Sequence, residues 1–125
     1  MTWFMRDDRI VFGEIVLTEH QQGPPGYVHG GASAALLDEA MGMAVWAAGY
    51  RVVAVNLNVD FSHPVPLGVK IAISARVIGQ EGRAIHASGE IALPDGQIAV
   101  VSKGVYVEAP HLVGNVRAEH PSPGA

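Results

Sequence analysis

The chain has no cysteine. That excludes disulfides, thiolate nucleophiles and cysteine-type zinc sites, and it fits a cytoplasmic protein. Charge is sparse. Only 16% of residues are Asp, Glu, Lys or Arg, the formal net charge is −4, and no Lys/Arg cluster occurs, so no nucleic-acid partner is expected. A leader peptide is not expected either, because Met1-Thr2-Trp3-Phe4-Met5-Arg6-Asp7-Asp8 turns acidic before any apolar run develops. The one stretch long enough to reach across a bilayer, about 31–49, carries Asp38 and Glu39 near its centre, where charge is expensive in lipid. It reads as a helix inside a soluble protein, with no membrane partner. His20, His63, His86, His111 and His120 show no paired metal spacing, so a metal is not expected. Ser33, Ser62, Ser74, Ser88 and Ser102 lack the context of a serine nucleophile, and no glycine-rich phosphate loop is present.

What is there is globular. At 125 residues, 49% of them hydrophobic, the chain predicts one domain over 1–125, with a core of about 9–107 and a loose, proline-containing tail over 109–125. Residues 9–19 mix β-branched and charged residues and predict a first strand. His20 to Gly26 reads as loop, and about 31–48, rich in Ala, Leu and Met, as a helix stopped by Gly49. Apolar residues fall on all sides of that helix, so other structure should surround it. Over 52–61, Val53, Val55, Leu57, Val59 and Phe61 alternate with Val52, Ala54, Asn56, Asn58 and Asp60, which predicts a strand with one face on the core. His63 to Gly68 reads as a rigid turn. Strands follow over 69–78, 84–93 and 97–107, with turns at Gln80-Glu81-Gly82-Arg83 and Pro94-Asp95-Gly96. Short connections predict an antiparallel meander, curled around the single apolar helix.

The chemistry concentrates in Gly26-Tyr27-Val28-His29-Gly30-Gly31, which runs into Ala32-Ser33-Ala34-Ala35-Leu36-Leu37-Asp38-Glu39-Ala40. Glycines at a helix start leave backbone N–H groups free to meet a ligand. An unpaired charge is costly to bury, so two adjacent acids inside an apolar helix call for a reason. The N–H groups suit a carbonyl oxygen gaining negative charge, and an acid suits attack on that carbonyl or activation of water. Gly30 and Asp38 are eight residues apart, roughly 12 Å along one helix axis, and so do not meet within one helix. Glu39 points about 100° away from Asp38 and is read mainly as an ion-pairing or interface residue.

His29-Gly30-Gly31 with an acid nine positions after the histidine, followed by Asn56-Leu57-Asn58-Val59-Asp60-Phe61, Pro64 and Leu67-Gly68, resembles the hotdog-fold acyl-CoA thioesterases. The similarity is to the branch of the phenylacetyl-CoA thioesterases and the human mitochondrial-type acyl-CoA thioesterases, and it covers about 9–107. It implies an α+β hotdog fold: a curved antiparallel sheet wrapped around one long central helix, in a homodimer or homotetramer whose sites lie between subunits. The implied activity is hydrolysis of an acyl-CoA thioester to free acid and CoA, with no cofactor other than the CoA of the substrate.

In that family Asp38 would match the catalytic carboxylate, Gly30 the oxyanion-binding amide, and His29 the histidine that orders the loop, although a general-base role for His29 stays open. Gly31 is placed with the substrate-binding residues. Two positions depart from the family pattern. Gly23 stands where many relatives have Asn or Gln, with Gln22 one step away as the alternative. Ala54 stands where some relatives hold the attacking water with Ser or Thr, and Asn56 or Asn58 is the alternative there. Besides a hydrolase, the same residues allow a non-catalytic acyl-CoA-binding protein or a hotdog hydratase or dehydratase.

Overall fold

The computed structural model describes residues 1–109, so the tail expected over 109–125 lies, past Ala109, outside the described residues. A long helix, α1 (Gly30–Ala47), packs on one face of a six-stranded antiparallel sheet: β1 (Phe4–Met5), β2 (Val11–Val16), β3 (Val52–Phe61), β4 (Lys70–Glu81), β5 (Ala84–Ala92) and β6 (Ile98–Glu108). This is the hotdog arrangement. Strand β1 was not foreseen; its two residues pair with Phe12 and Val11 of β2. No helix among the described residues is long and apolar enough to cross a membrane.

The strand order is β1-β2-β4-β5-β6-β3, which corrects the expected meander. Of the four strands after the helix, only β4, β5 and β6 follow one another in space. Strand β3 pairs with β6, and β4 pairs with β2 on its other side. The physical reason is the connection over 62–69. It is not a tight reversal but an eight-residue link with Pro64 and Pro66, long enough to carry the chain from one edge of the sheet toward the other.

Residues that face each other across a sheet share a side. The inner side, toward the helix, carries Ile73, Ile85, Ile91 and Val100, all fully buried. Leu37, Met41 and Val45, spaced by four, form the helix stripe that meets them. Gly89 of β5 makes that contact close: a Cβ there would lie 3.2 Å from Leu37 Cδ2 and 3.3 Å from Met41 Cγ. The helix is covered on this side only. Ala35, Glu39 and Trp46 remain exposed, so within one protomer it is not surrounded as its composition suggests.

A bulge between Ala54 and Asn56 changes the faces of β3. Beyond it, Leu57, Val59 and Phe61 pair with Gly104, Ser102 and Val100 on the inner side. Before it, Ala54 rather than Val53 or Val55 shares that side, opposite Tyr106. The simple alternation read from the sequence fails at Val55, where one extra residue is inserted.

Candidate active site

The loop entering α1 is tied down at several points. His29 N–H donates to Gln21 O at 2.7 Å, Val28 N–H to Val65 O at 2.8 Å, and Gly23 N–H to Tyr27 O at 2.9 Å. Gln22 Oε1 accepts from Gly26 N–H at 3.0 Å, so its side chain closes the loop. Gly23 is there because nothing larger fits: a Cβ would lie 2.9 Å from His29 Cα. An Asn or Gln side chain cannot be placed at this position on this backbone without moving the loop.

His29 is the N-cap of α1, with extended backbone (φ −61°, ψ 135°). Its ring Nδ1 accepts from Gly31 N–H at 2.9 Å, which satisfies one of the donors a helix start leaves open. Gly31 N–H is therefore occupied. Gly30 N–H differs: among the described residues nothing accepts from it, and Gly30 is exposed. It opens on a cleft of about 300 Å³ lined by Pro24, Val28, Ser33, Phe61 and His63 among others. Phe61 and His63 were not anticipated there. Phe61 reaches the cleft as the last residue of β3 and His63 on the link that follows, whose Val65 carbonyl accepts from Val28 N–H of the loop, a consequence of topology that no local pattern announces. Ser33 is 1% exposed, and its hydroxyl has no hydrogen-bond partner among the described residues. Buried hydroxyls are seldom left so.

Asp38, two turns along the helix, is half-buried against β6. The Tyr106 hydroxyl donates to Asp38 Oδ1 at 3.0 Å and also lies 3.4 Å from the Asp38 backbone carbonyl. Burial, and secondarily the Asp38 charge and hydrogen bond, push the Tyr106 phenol far above its ordinary value, so it stays protonated and can donate. The sequence carried a signal for this residue: position 106 has the inner parity of β6, together with Ser102 and Gly104, and a phenol facing an apolar core needs an acceptor. Glu39 instead accepts from Trp3 Nε1 at 3.0 Å.

The structure does not bring Asn56 and Asn58 to this set. Asn56 pairs with Val105 and Asn58 with Lys103, on the outer side of the sheet away from the helix. Asn58 lines a larger concavity of about 600 Å³, with Asp60, Arg76, Glu90 and Lys103, and neither Gly30 nor Asp38 lines it. Ala54 is the β3 residue that shares the inner side with Tyr106. Within one protomer, then, His29, Gly30 and Gly31 sit at the start of the helix and Asp38 well along it. Among the described residues no group of three or more His, Asp or Glu could hold a metal ion.

A family model described as the thioesterase superfamily matches residues 25–100. The acyl-coenzyme A thioesterase THEM4 of Rattus norvegicus is 38% identical over 76 residues, which is 61% of this chain and 33% of that protein. The chain spans about a third of the length of the first curated relatives it matches. A solved thioesterase superfamily protein superposes with a TM-score of 0.82 at 35% identity, covering 84% of this chain and 54% of the other. The PaaI protein of the E. coli phenylacetic acid degradation operon superposes with a TM-score of 0.79, covering 86% of this chain and 78% of its own. At 20% identity that likeness bears on the fold alone.

Proposed function

The chain belongs to the thioesterase superfamily, and from that premise we propose that it is a hydrolase of acyl-CoA thioesters acting through sites shared between two copies. The observation that carries the proposal is the free Gly30 N–H at the mouth of the cleft, on the same helix as the half-buried carboxylate of Asp38. A main-chain donor at a helix start stabilises the oxyanion formed when a thioester carbonyl is attacked, aided by the helix dipole. The carboxylate either attacks the carbonyl carbon itself or takes a proton from water that does so. In both routes the acyl–sulfur bond breaks, water supplies the new acyl oxygen, and a water proton ends on the CoA thiol.

Eight helix residues separate the two groups, roughly 12 Å along the axis, so they converge only if Asp38 of one copy faces Gly30 of another. Strand β3 is the natural seam. It is ten residues long and forms one edge of the sheet, pairing only with β6. It exposes Val55, Leu57 and Phe61, and Phe61 also lines the Gly30 cleft. Long apolar edges are normally covered. The relative described as an acyl-coenzyme A thioesterase supports the substrate class.

A second reading, an acyl-CoA-binding protein without turnover, is favoured by Ala54, which offers no hydroxyl to hold water. Thiol release from a panel of aromatic and aliphatic acyl-CoAs separates the two. The hydrolase reading expects turnover of at least one class and a loss of at least about a hundredfold in Asp38→Asn. Tight binding without thiol release supports the second reading. Turnover unchanged in Asp38→Asn removes the carboxylate from the mechanism.

A further inference from the structure

Tyr106 is a buried phenol, 3% exposed, at an inner position of β6 that Phe would fill equally well for packing alone. Its hydroxyl is placed by the surrounding backbone. Gly104, the preceding inner position of the same strand, has no side chain, and a Cβ there would lie 2.7 Å from Tyr106 Cε2, 3.2 Å from the hydroxyl and 3.3 Å from Met41 Cε. The ring therefore lies along bare backbone, with Met41 of the helix beside the same glycine. The hydroxyl reaches the carboxylate of Asp38 and lies near the carbonyl of the same residue. The second carboxylate oxygen, Oδ2, accepts from nothing among the described residues.

We propose that Tyr106 is the positioning residue of the site: its hydroxyl fixes the Asp38 carboxylate by one oxygen, so that the other is presented to the thioester or to water. The proposal rests on the hydrolase reading for its catalytic consequence and on geometry alone for the positioning. An aspartate has two side-chain torsions, and a carboxylate with no partner samples several rotamers. A charge-assisted hydrogen bond from a rigid ring selects one of them. Catalysis depends steeply on such placement, because a reacting group misplaced by about 1 Å can cost on the order of a hundredfold in rate. Tyr106 remains protonated and supplies no proton to the reaction.

Tyr106→Phe removes one oxygen atom and keeps the ring. Two measurements test the idea together: steady-state thiol release with the substrate the native protein turns over best, and a crystal structure of the variant. The expected result is a fall in kcat of about tenfold. KM should stay within about twofold and the melting temperature close to native, because substrate binding and packing are not what the hydroxyl serves. Combined with Asp38→Asn, the tyrosine change should cost nothing further. In the crystal structure the Asp38 carboxylate should leave its native rotamer while the helix backbone stays in place. A native kcat in Tyr106→Phe overturns the proposal, as does a fall seen only in KM. If the native protein releases no thiol from any substrate, the hydrolase reading fails separately, and the crystal structure then decides: an unmoved carboxylate overturns the positioning role, and a displaced one upholds it.

Discussion

One ring nitrogen of His29 caps the helix. Nδ1 takes the Gly31 N–H, which leaves Gly30 N–H as the donor with no acceptor among the described residues. The glycine pair is therefore divided in its tasks, and only the contacts reveal which amide is spent on the cap. The cap also separates two roles for the histidine. An Asn at an N-cap supplies an equivalent acceptor, whereas Ala supplies none and typically costs about 1 kcal/mol. We expect His29→Ala to lose about that much stability in urea unfolding and His29→Asn to lose only a few tenths. If the ring only orders the loop, His29→Asn also keeps most of its thiol release. A collapse of turnover in His29→Asn with stability intact would make the ring a general base instead. The sequence offered His29, Gly30 and Asp38 as candidates, the glycine and the acid by their place in an apolar helix and all three by the family resemblance. Tyr106 left only a partial signal, its inner parity on β6, which does not say which acceptor it meets; Phe61 and His63 left none, because they reach the cleft through long-range pairing and chain crossing that no window of sequence contains.

Among the elements, the helix and the four later strands could be read closely. Strand β3 occupies Val52–Phe61, the span that period two predicts, and the helix runs over Gly30–Ala47 against an expected 31–48. Two features escaped. The bulge at Val55 inserts a residue without any glycine to mark it, and it exchanges which side chains of β3 look inward. The passage of β3 to the far side of β6 depends on where the remaining strands find partners, which short-range turn chemistry does not encode. The helix seat on the sheet, in contrast, has a local cause that can be tested. Gly89 lies under Leu37 and Met41, and a Cβ would also stand 2.9 Å from Ser102 Oγ, a hydroxyl that donates to Gly89 O at 3.3 Å. Filling a packed contact of this kind costs typically 1–3 kcal/mol. Gly89→Ala should therefore lower the unfolding free energy by about 2 kcal/mol in urea without changing the far-ultraviolet dichroism of the native state. A stability equal to native would mean that helix and sheet have slack at this contact.

At the scale of the whole molecule the two edges of the sheet differ in what they leave open. One end of the sheet carries β1, only two residues long, which leaves little ladder open to a stranger. The β3 edge has no such protection. Ten residues present an unpaired row of backbone groups, with Val55 57%, Leu57 40% and Phe61 53% exposed. The helix face carrying Ala35, Glu39 and Trp46 is likewise left uncovered by the protomer's own sheet. A second copy joined along β3 would pair the free backbone groups, bury those side chains, and bring a partner helix toward the Gly30 cleft that Phe61 borders. Assembly and activity should then fail together. Leu57→Asp places a carboxylate on that seam while leaving the packed core of Leu37, Met41, Ile73, Ile85 and Ile91 untouched. In sedimentation at micromolar concentration the native chain should run as a dimer or larger, and Leu57→Asp as a folded monomer with native-like dichroism. Thiol release per chain should fall in step with the monomer fraction, because each monomer retains both Gly30 and Asp38 but cannot bring them to the same carbonyl. A native monomer, or a monomeric variant that keeps full turnover, would place the donor and the acid of one reaction in a single copy, and the distance along one helix would then have to be bridged by some other acid.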